Sequence, residues 1–221
     1  MSLFADAGSI PPLLIAAVGV LGVAIGLVAE WVVVRTHPRL GGPPAKWVRI
    51  TTALATGALS ALLALRFGIA WQLPGFLVLA ALGIQLSRID IAHKLLPNRI
   101  VLSLLLAGAA LLSVSAALTP GWGDLLRSVI SAAILFIVYL VLAIISPNGI
   151  GMGDVKLAAP LGLYLGYLGW GQLFYGGALG FVLGGLATFV LLRIKTKETL
   201  SEVAYGPSML VSCFVVVLTL P

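Results

Sequence analysis

Long apolar stretches separated by short polar connections dominate this sequence. A helix that crosses the hydrocarbon core of a bilayer needs about 20 apolar residues. Eight stretches approach that length, at residues 10–34, 49–66, 71–87, 98–118, 125–146, 155–168, 171–193 and 204–221. The sixth and seventh come from one run, Leu157 to Leu192, which we split near Gly169–Gly171 because a single helix would exceed a ~30 Å core. The pattern predicts an all-α polytopic membrane bundle of about eight transmembrane helices, forming one domain over residues 1–221.

The few charges agree with this class and predict an orientation. Charged residues make up 9% of the chain, against about 25% in a soluble domain. Of the 13 Lys and Arg residues, 11 lie in the first, third, fifth and seventh connections. Basic connections mark the cytoplasmic side, so we predict that both termini face outward. The net charge of +6 then serves topology and contact with anionic lipids of the bilayer, and no nucleic-acid partner is expected.

The acidic residues are the most informative, because an ionisable group at membrane depth costs a few kcal/mol. Glu30 lies inside the first apolar stretch, where we expect a local pair with Arg35 or a side chain that reaches the interface; a functional role is the alternative. Four acids fall in connections or tails and are predicted to be solvated: Asp6, Asp124, Glu198 and Glu202.

Asp90 lies at the cytoplasmic end of the third predicted helix, in the segment Arg88-Ile89-Asp90-Ile91-Ala92-His93-Lys94-Leu95-Leu96-Pro97-Asn98. Taken alone, its carboxylate could simply pair with Arg88 or Lys94. The residue becomes informative only in combination with a second acid.

Asp154 lies in Gly149-Ile150-Gly151-Met152-Gly153-Asp154-Val155-Lys156-Leu157. It could be the N-cap of the sixth helix, a role worth about 1 kcal/mol. A cap does not require the glycines before it, however. Gly151 and Gly153 permit backbone conformations and close approaches that a side chain would block. We therefore expect a loop that places Asp154 against another part of the bundle.

Asp90 and Asp154 are predicted at the same level, where helices meet the cytoplasmic face. Two carboxyls in one poorly solvated site cannot both ionise cheaply, so one keeps its proton. The ionised group can then take a proton from water while the other protonates the carbonyl oxygen or leaving nitrogen of a peptide. This is the division of roles in an aspartic protease.

The segment Gly151-Met152-Gly153-Asp154-Val155-Lys156-Leu157 resembles the GxGD motif of type IV prepilin leader peptidases. The spacing from Asp90 to Leu96-Pro97-Asn98 resembles a second segment of that family, and Tyr205-Gly206-Pro207 resembles a third. The resemblance implies a multi-pass aspartyl peptidase of the bacterial inner membrane. It would remove the basic leader of prepilins or pseudopilins at the cytoplasmic face.

The resemblance also implies site residues by position. Asp90 and Asp154 would be the catalytic pair, and Gly151 and Gly153 the supporting loop. Lys156 would either hold a positive charge near Asp154 or extend to the interface. Water would attack the scissile carbonyl without a covalent intermediate, and neither a metal nor another cofactor is expected.

One departure concerns the first cytoplasmic connection. Longer bacterial members of the family carry paired CxxC zinc ligands there and also N-methylate the trimmed pilin with S-adenosylmethionine. Here residues 36–48 form a short loop, and the only cysteine of the chain is Cys213. The missing zinc ligands put the methyltransferase in question, and S-adenosylmethionine is needed only if that activity is retained.

Two other functional classes remain open at this point. Paired acids also serve as proton relays in membrane transport, so a small proton-coupled transporter is the alternative to the peptidase. A purely structural membrane subunit is a third option. Both acids at one face, and the absence of an internal repeat, favour the peptidase.

Overall fold

The residues that the structure describes form eight α-helices. The computed structural model describes residues 11–36, 42–145, 150–194 and 205–221. No strand occurs within those ranges. The helices are α1 (Pro12–Thr36), α2 (Lys46–Phe67), α3 (Leu73–His93), α4 (Asn98–Leu118), α5 (Trp122–Ile145), α6 (Met152–Leu168), α7 (Trp170–Ile194) and α8 (Gly206–Thr219).

These helices confirm the predicted all-α membrane bundle. Helices α1 to α5 are each long and apolar enough to cross a membrane, with mean hydropathies of 1.6 to 2.9 in their best windows. The chain is therefore a multi-pass membrane protein. That all eight helices span the bilayer, and that both termini face outward, stay predictions.

A single residue divides the long apolar run between α6 and α7. Gly169 separates Leu168, the last residue of α6, from Trp170, the first of α7. The Gly169 amide donates to Leu165 of α6, at 3.1 Å, while its carbonyl accepts from Leu173 of α7, at 3.2 Å. The predicted division of this run is confirmed, because the two helices share this one connecting residue.

Helix α6 lies at the centre of the bundle. Twelve of its seventeen residues are buried, against five of twenty-five in α1. It packs against α4, α5, α7 and α8. Gly162 lets α5 approach closely, since a Cβ there would come within 2.5 Å of the Ser131 carbonyl oxygen and 2.9 Å of the Ala132 Cα. Small residues at such crossings are how membrane helices pack without a strong hydrophobic drive.

Glu30 has a different partner from the predicted one. Its Oε1 lies 2.9 Å from Nε of Arg49 in α2, and its side chain is only 2% exposed. Arg35 instead stacks over the Trp31 ring, 4.2 Å from the ring centre. The prediction of a local pair with Arg35 was wrong because residues five apart do not share a helix face, whereas α1 and α2 pack side by side.

The loop of residues 36–48 lies only partly within the described residues. Helix α1 ends at Thr36 and α2 begins at Lys46. The connection is therefore shorter than predicted, because Thr36 and residues 46–48 are helical. Residues 37–41 lie outside the described ranges. So do several predicted solvated or basic positions: Asp6, Lys195, Lys197, Glu198 and Glu202.

Candidate active site

Asp90 lies in the last turn of α3 and is 4% exposed. The helix ends because Lys94 adopts a left-handed conformation, with φ 50° and ψ 38°, while its amide still donates to the Asp90 carbonyl at 2.8 Å. The chain then turns through Leu96 and Pro97 into α4. The helical conformation is disfavoured for a residue that precedes proline, here Leu96. The chain therefore does not continue as one helix from α3 into α4.

The Asp90 carboxyl group is held by the first residue of α8. The backbone N–H of Gly206 donates to Asp90 Oδ2 at 3.1 Å, in a buried position. The first amides of a helix have no partner within the helix, and the helix dipole favours a negative charge there. A Cβ on residue 206 would lie 2.7 Å from the same Oδ2, so only glycine allows this approach without movement.

Asp154 lies in the first turn of α6 and is 6% exposed. Its Oδ2 accepts a hydrogen bond from the Gly151 amide at 3.2 Å. The carbonyl of Gly151 in turn accepts from the amides of Asp154 and Val155, at 3.0 and 3.2 Å. The alternative role of Asp154 as the N-cap residue does not hold, since Gly151 occupies that position, α6 begins at Met152 and Asp154 caps the helix from its third residue.

Leu96 joins the surroundings of the two carboxyl groups. A Cβ on Gly153 would lie 3.1 Å from Leu96 Cβ, and a Cβ on Gly206 would lie 3.4 Å from Leu96 Cδ1. The glycine beside Asp154 and the glycine that holds Asp90 therefore pack on one leucine. Asp154 also interacts electrostatically with Asp90. The structure thus brings together two acids that lie 64 positions apart in the sequence.

Two tyrosines border the same site. Both Tyr139 of α5 and Tyr205, just before α8, interact electrostatically with Asp154. Each is buried, at 2% and 5% exposure, and the Tyr205 hydroxyl donates to the Phe181 carbonyl at 3.0 Å. Sequence reasoning missed Tyr139, whose only signal is its place as the lone tyrosine in an otherwise apolar stretch of α5.

Which of its two predicted roles Lys156 takes stays a prediction. Its side chain is exposed, and its Nζ donates to Asn98 Oδ1 at 3.1 Å. This bond joins the start of α6 to the start of α4. Lys156 therefore links α6 to α4 at the end of the bundle where Asp154 lies.

Candidate metal ligands are few in the described parts of the chain. No group of three or more His, Cys, Asp or Glu residues lies close enough there to hold a metal ion. Cys213, the one cysteine, is fully buried in α8. That the site works without a metal or cofactor stays a prediction.

The arrangement suits acid–base chemistry on a bond brought to it from the membrane. One oxygen of each carboxyl group accepts a hydrogen bond from a backbone N–H, that of Gly206 for Asp90 and that of Gly151 for Asp154. Within the described residues, the second oxygen of each group accepts no such hydrogen bond. Preorganised donors hold the two groups in place, so little rearrangement is needed when a substrate arrives.

Comparison with known proteins points to one family. Residues 77–192, which include Asp90 and Asp154, match the model of the type IV leader peptidase family, Peptidase_A24. A prepilin leader peptidase/N-methyltransferase of Stutzerimonas stutzeri is 33% identical over 169 residues, which cover 75% of this chain and 56% of that protein. One of Xanthomonas campestris pv. campestris is 30% identical over 189 residues, or 85% and 64%.

A third relative carries the same name and comes from Bacillus subtilis, with 33% identity over 149 residues, or 66% of this chain and 57% of that protein. No solved structure is significantly similar. The chain spans about three-fifths of the length of these relatives. The matched span covers more than half of the sequence and contains both Asp90 and Asp154, and the chain therefore belongs to the type IV leader peptidase family.

Proposed function

We propose that this chain is an aspartyl endopeptidase that removes the basic leader of type IV prepilins or pilin-like proteins. The observation that carries the proposal is the pairing of Asp90 and Asp154, two buried acids that α3, α6 and α8 bring to one end of the bundle. Family membership supports it. The predicted topology places that end at the cytoplasmic face of the bacterial inner membrane.

The chemistry follows from two carboxyl groups that share a poorly solvated site. One is ionised and the other protonated, because two adjacent charges would repel. The ionised group accepts a proton from water as the water oxygen attacks the scissile carbonyl carbon. The protonated group gives its proton to the carbonyl oxygen, which yields a tetrahedral diol. As the C–N bond breaks, the group that took the water proton gives it to the leaving nitrogen, and a diol hydroxyl returns its proton to the other carboxylate.

The substrate would be a prepilin or pseudopilin whose apolar helix lies in the membrane. Its peptide bond must leave the helical conformation to reach the two acids. Irregular backbone at membrane depth is tolerated where it is buried in protein. Nothing in the comparisons supports the transporter alternative, because the family match and the named relatives are all leader peptidases.

Cleavage in membranes tests the proposal directly. The chain is co-expressed with a pilin-like precursor of the same genome, and the mass of the pilin N-terminus is followed. We expect Asp90→Asn and Asp154→Asn to lower the rate about 100-fold or more, the range for loss of an acid–base group. If either variant cleaves at a rate near wild type, the pair is not the catalytic centre.

Asp124→Asn is the matched control. This acid is half exposed at the start of α5, where it pairs with Arg127 at 2.9 Å. Exposed pairs contribute little to stability, so this variant should cleave as wild type does.

The same mass measurement reports on N-methylation. A product that carries one added methyl group would show that this activity is retained despite the short first loop.

A further inference from the structure

A groove on the lipid-facing side of the bundle runs between α5 and α7. It has a volume of about 590 Å³ and is lined by apolar side chains of both helices. Small residues on α7 form the bottom of the groove. At one of them, Gly177, a Cβ would lie 3.0 Å from Leu135 Cδ1 of α5, while the neighbouring Ala178 is exposed.

The inner end of this groove is built from residues that also border the acids. Tyr139 of α5 lines the groove and interacts electrostatically with Asp154. Phe181 of α7 lines it too, and its carbonyl accepts the hydrogen bond of Tyr205. Tyr205 directly precedes Gly206, which holds Asp90. One end of the groove therefore lies beside Tyr205, in the segment that holds Asp90.

Within the described residues, packed helices surround the segment that carries Asp154. Helix α6, which carries it, is enclosed by α4, α5, α7 and α8. Both acids are nearly inaccessible from outside, at 4% and 6% exposure. The gap between α5 and α7 is where an apolar segment can lie beside α6 and still end next to the carboxyl groups.

We infer that this groove binds the apolar helix of the substrate and so aligns the scissile bond with Asp90 and Asp154. The inference rests on the proposed function and specifies where its substrate docks. From Trp170 to Phe181 the groove extends over 12 residues of α7, or about 16 Å for the 11 steps of 1.5 Å between them. That length holds three turns of a helix.

The direction of the chain also fits. The substrate leader is cytoplasmic, so its helix runs outward, antiparallel to both α5 and α7 in the predicted topology. Its small and aliphatic side chains would pack on Gly177 and Ala178, as membrane helices do at close crossings. Trp170 lies at the outer end, where indole rings favour the interface.

Photo-crosslinking tests the docking without requiring cleavage. A photoreactive phenylalanine analogue replaces Phe174, which lies in the groove and is 70% exposed, in the Asp154→Asn background. The control carries it at Leu106 of α4, a 59% exposed lipid-facing position outside the groove. We expect a crosslink to the precursor from position 174 alone. Crosslinks to lipid only, to a second copy of the chain, or equally from both positions would overturn the inference.

A second pair of variants tests the groove by its effect on cleavage. Ala178→Phe fills the floor, and Ala110→Phe places the same ring on an exposed position of α4. We expect the first to slow cleavage of the full precursor about tenfold or more, since binding far from the reacting bond supports catalysis, and the second to leave it unchanged.

The two failures are distinguishable. If the wild-type chain cleaves while Ala178→Phe matches it and no crosslink forms at 174, the groove is not the docking surface and the peptidase stands. If the wild-type chain cleaves no pilin-like precursor, the proposed function is wrong, and the inference that rests on it is wrong as well.

Discussion

The substitution Gly206→Ala tests whether cleavage depends on the position of the Asp90 carboxyl group, the proposed catalytic group. The added Cβ would lie 2.7 Å from Asp90 Oδ2 and 3.4 Å from its Cγ, closer than an unbonded carbon and oxygen can remain. The Asp90 side chain is short and can rotate away. That rotation breaks the 3.1 Å hydrogen bond from the Gly206 amide and moves the carboxyl group off its place beside Asp154.

The size of the effect follows from the hydrogen bond that is lost. A hydrogen bond to a charged group contributes about 1.5–3 kcal/mol, and each 1.36 kcal/mol of barrier is tenfold in rate. We therefore expect leader cleavage to slow about 10- to 150-fold. Stability should fall by no more than about the same 1.5–3 kcal/mol, because alanine is a better helix former than glycine and the contacted atom is at the end of a side chain.

Initial rates of leader removal, normalised to the enzyme present in the membranes, provide the assay. Gly185→Ala is the matched control, since a Cβ there meets nothing within 4 Å, and its rate should equal that of wild type. Thermal unfolding in detergent reports whether Gly206→Ala still folds. A folded Gly206→Ala protein that cleaves within about threefold of wild type would refute the reasoning, because the hydrogen bond would then not position a group needed for the reaction.

Two further predictions concern packing and charge. Gly162→Ala should destabilise the bundle by about 1–3 kcal/mol, since its Cβ would meet the backbone of Ser131 in α5 rather than a movable side chain; an unfolding temperature equal to that of Gly171→Ala, which meets nothing, would contradict this. Lys156→Ala should keep cleavage within about threefold of wild type, because its exposed ammonium bonds to Asn98 and exposed charges interact weakly; a loss of more than about tenfold would show that it acts on the carboxyl pair.

The sequence predicts the helices well because membrane spans depend on local composition. Each span must satisfy its own backbone and present apolar side chains, so hydropathy alone separates α1 to α5. The break between α6 and α7 was placed from length, and the structure puts it at Gly169. Helix ends were less exact. Residues at ends, such as Met152 at the start of α6, are chosen by local hydrogen bonds rather than by hydropathy.

Contacts between helices could not be read from the sequence to the same degree. Shared position at the cytoplasmic ends was enough to pair Asp90 with Asp154. It was not enough to show that Gly206 holds Asp90, or that Tyr139 borders the site, because both depend on which faces of α3, α5 and α8 meet. The partner of Glu30 was missed for the same reason.

The glycines of the site provide space and not unusual backbone conformations. Gly151 and Gly153 were expected to supply both. Gly151 is extended, with φ −74° and ψ 150°, a conformation open to any residue, and the glycines with positive φ in the described ranges are Gly42 and Gly68, both outside the site. What Gly151, Gly153 and Gly206 share is the absence of a side chain where a carboxylate oxygen or a leucine lies within 2.7 to 3.3 Å of the missing Cβ. These glycines therefore provide space around the two acids. Alanine should be tolerated best at Gly151, where the nearest atom is 3.3 Å from the missing Cβ, and least at Gly206, where it is 2.7 Å away.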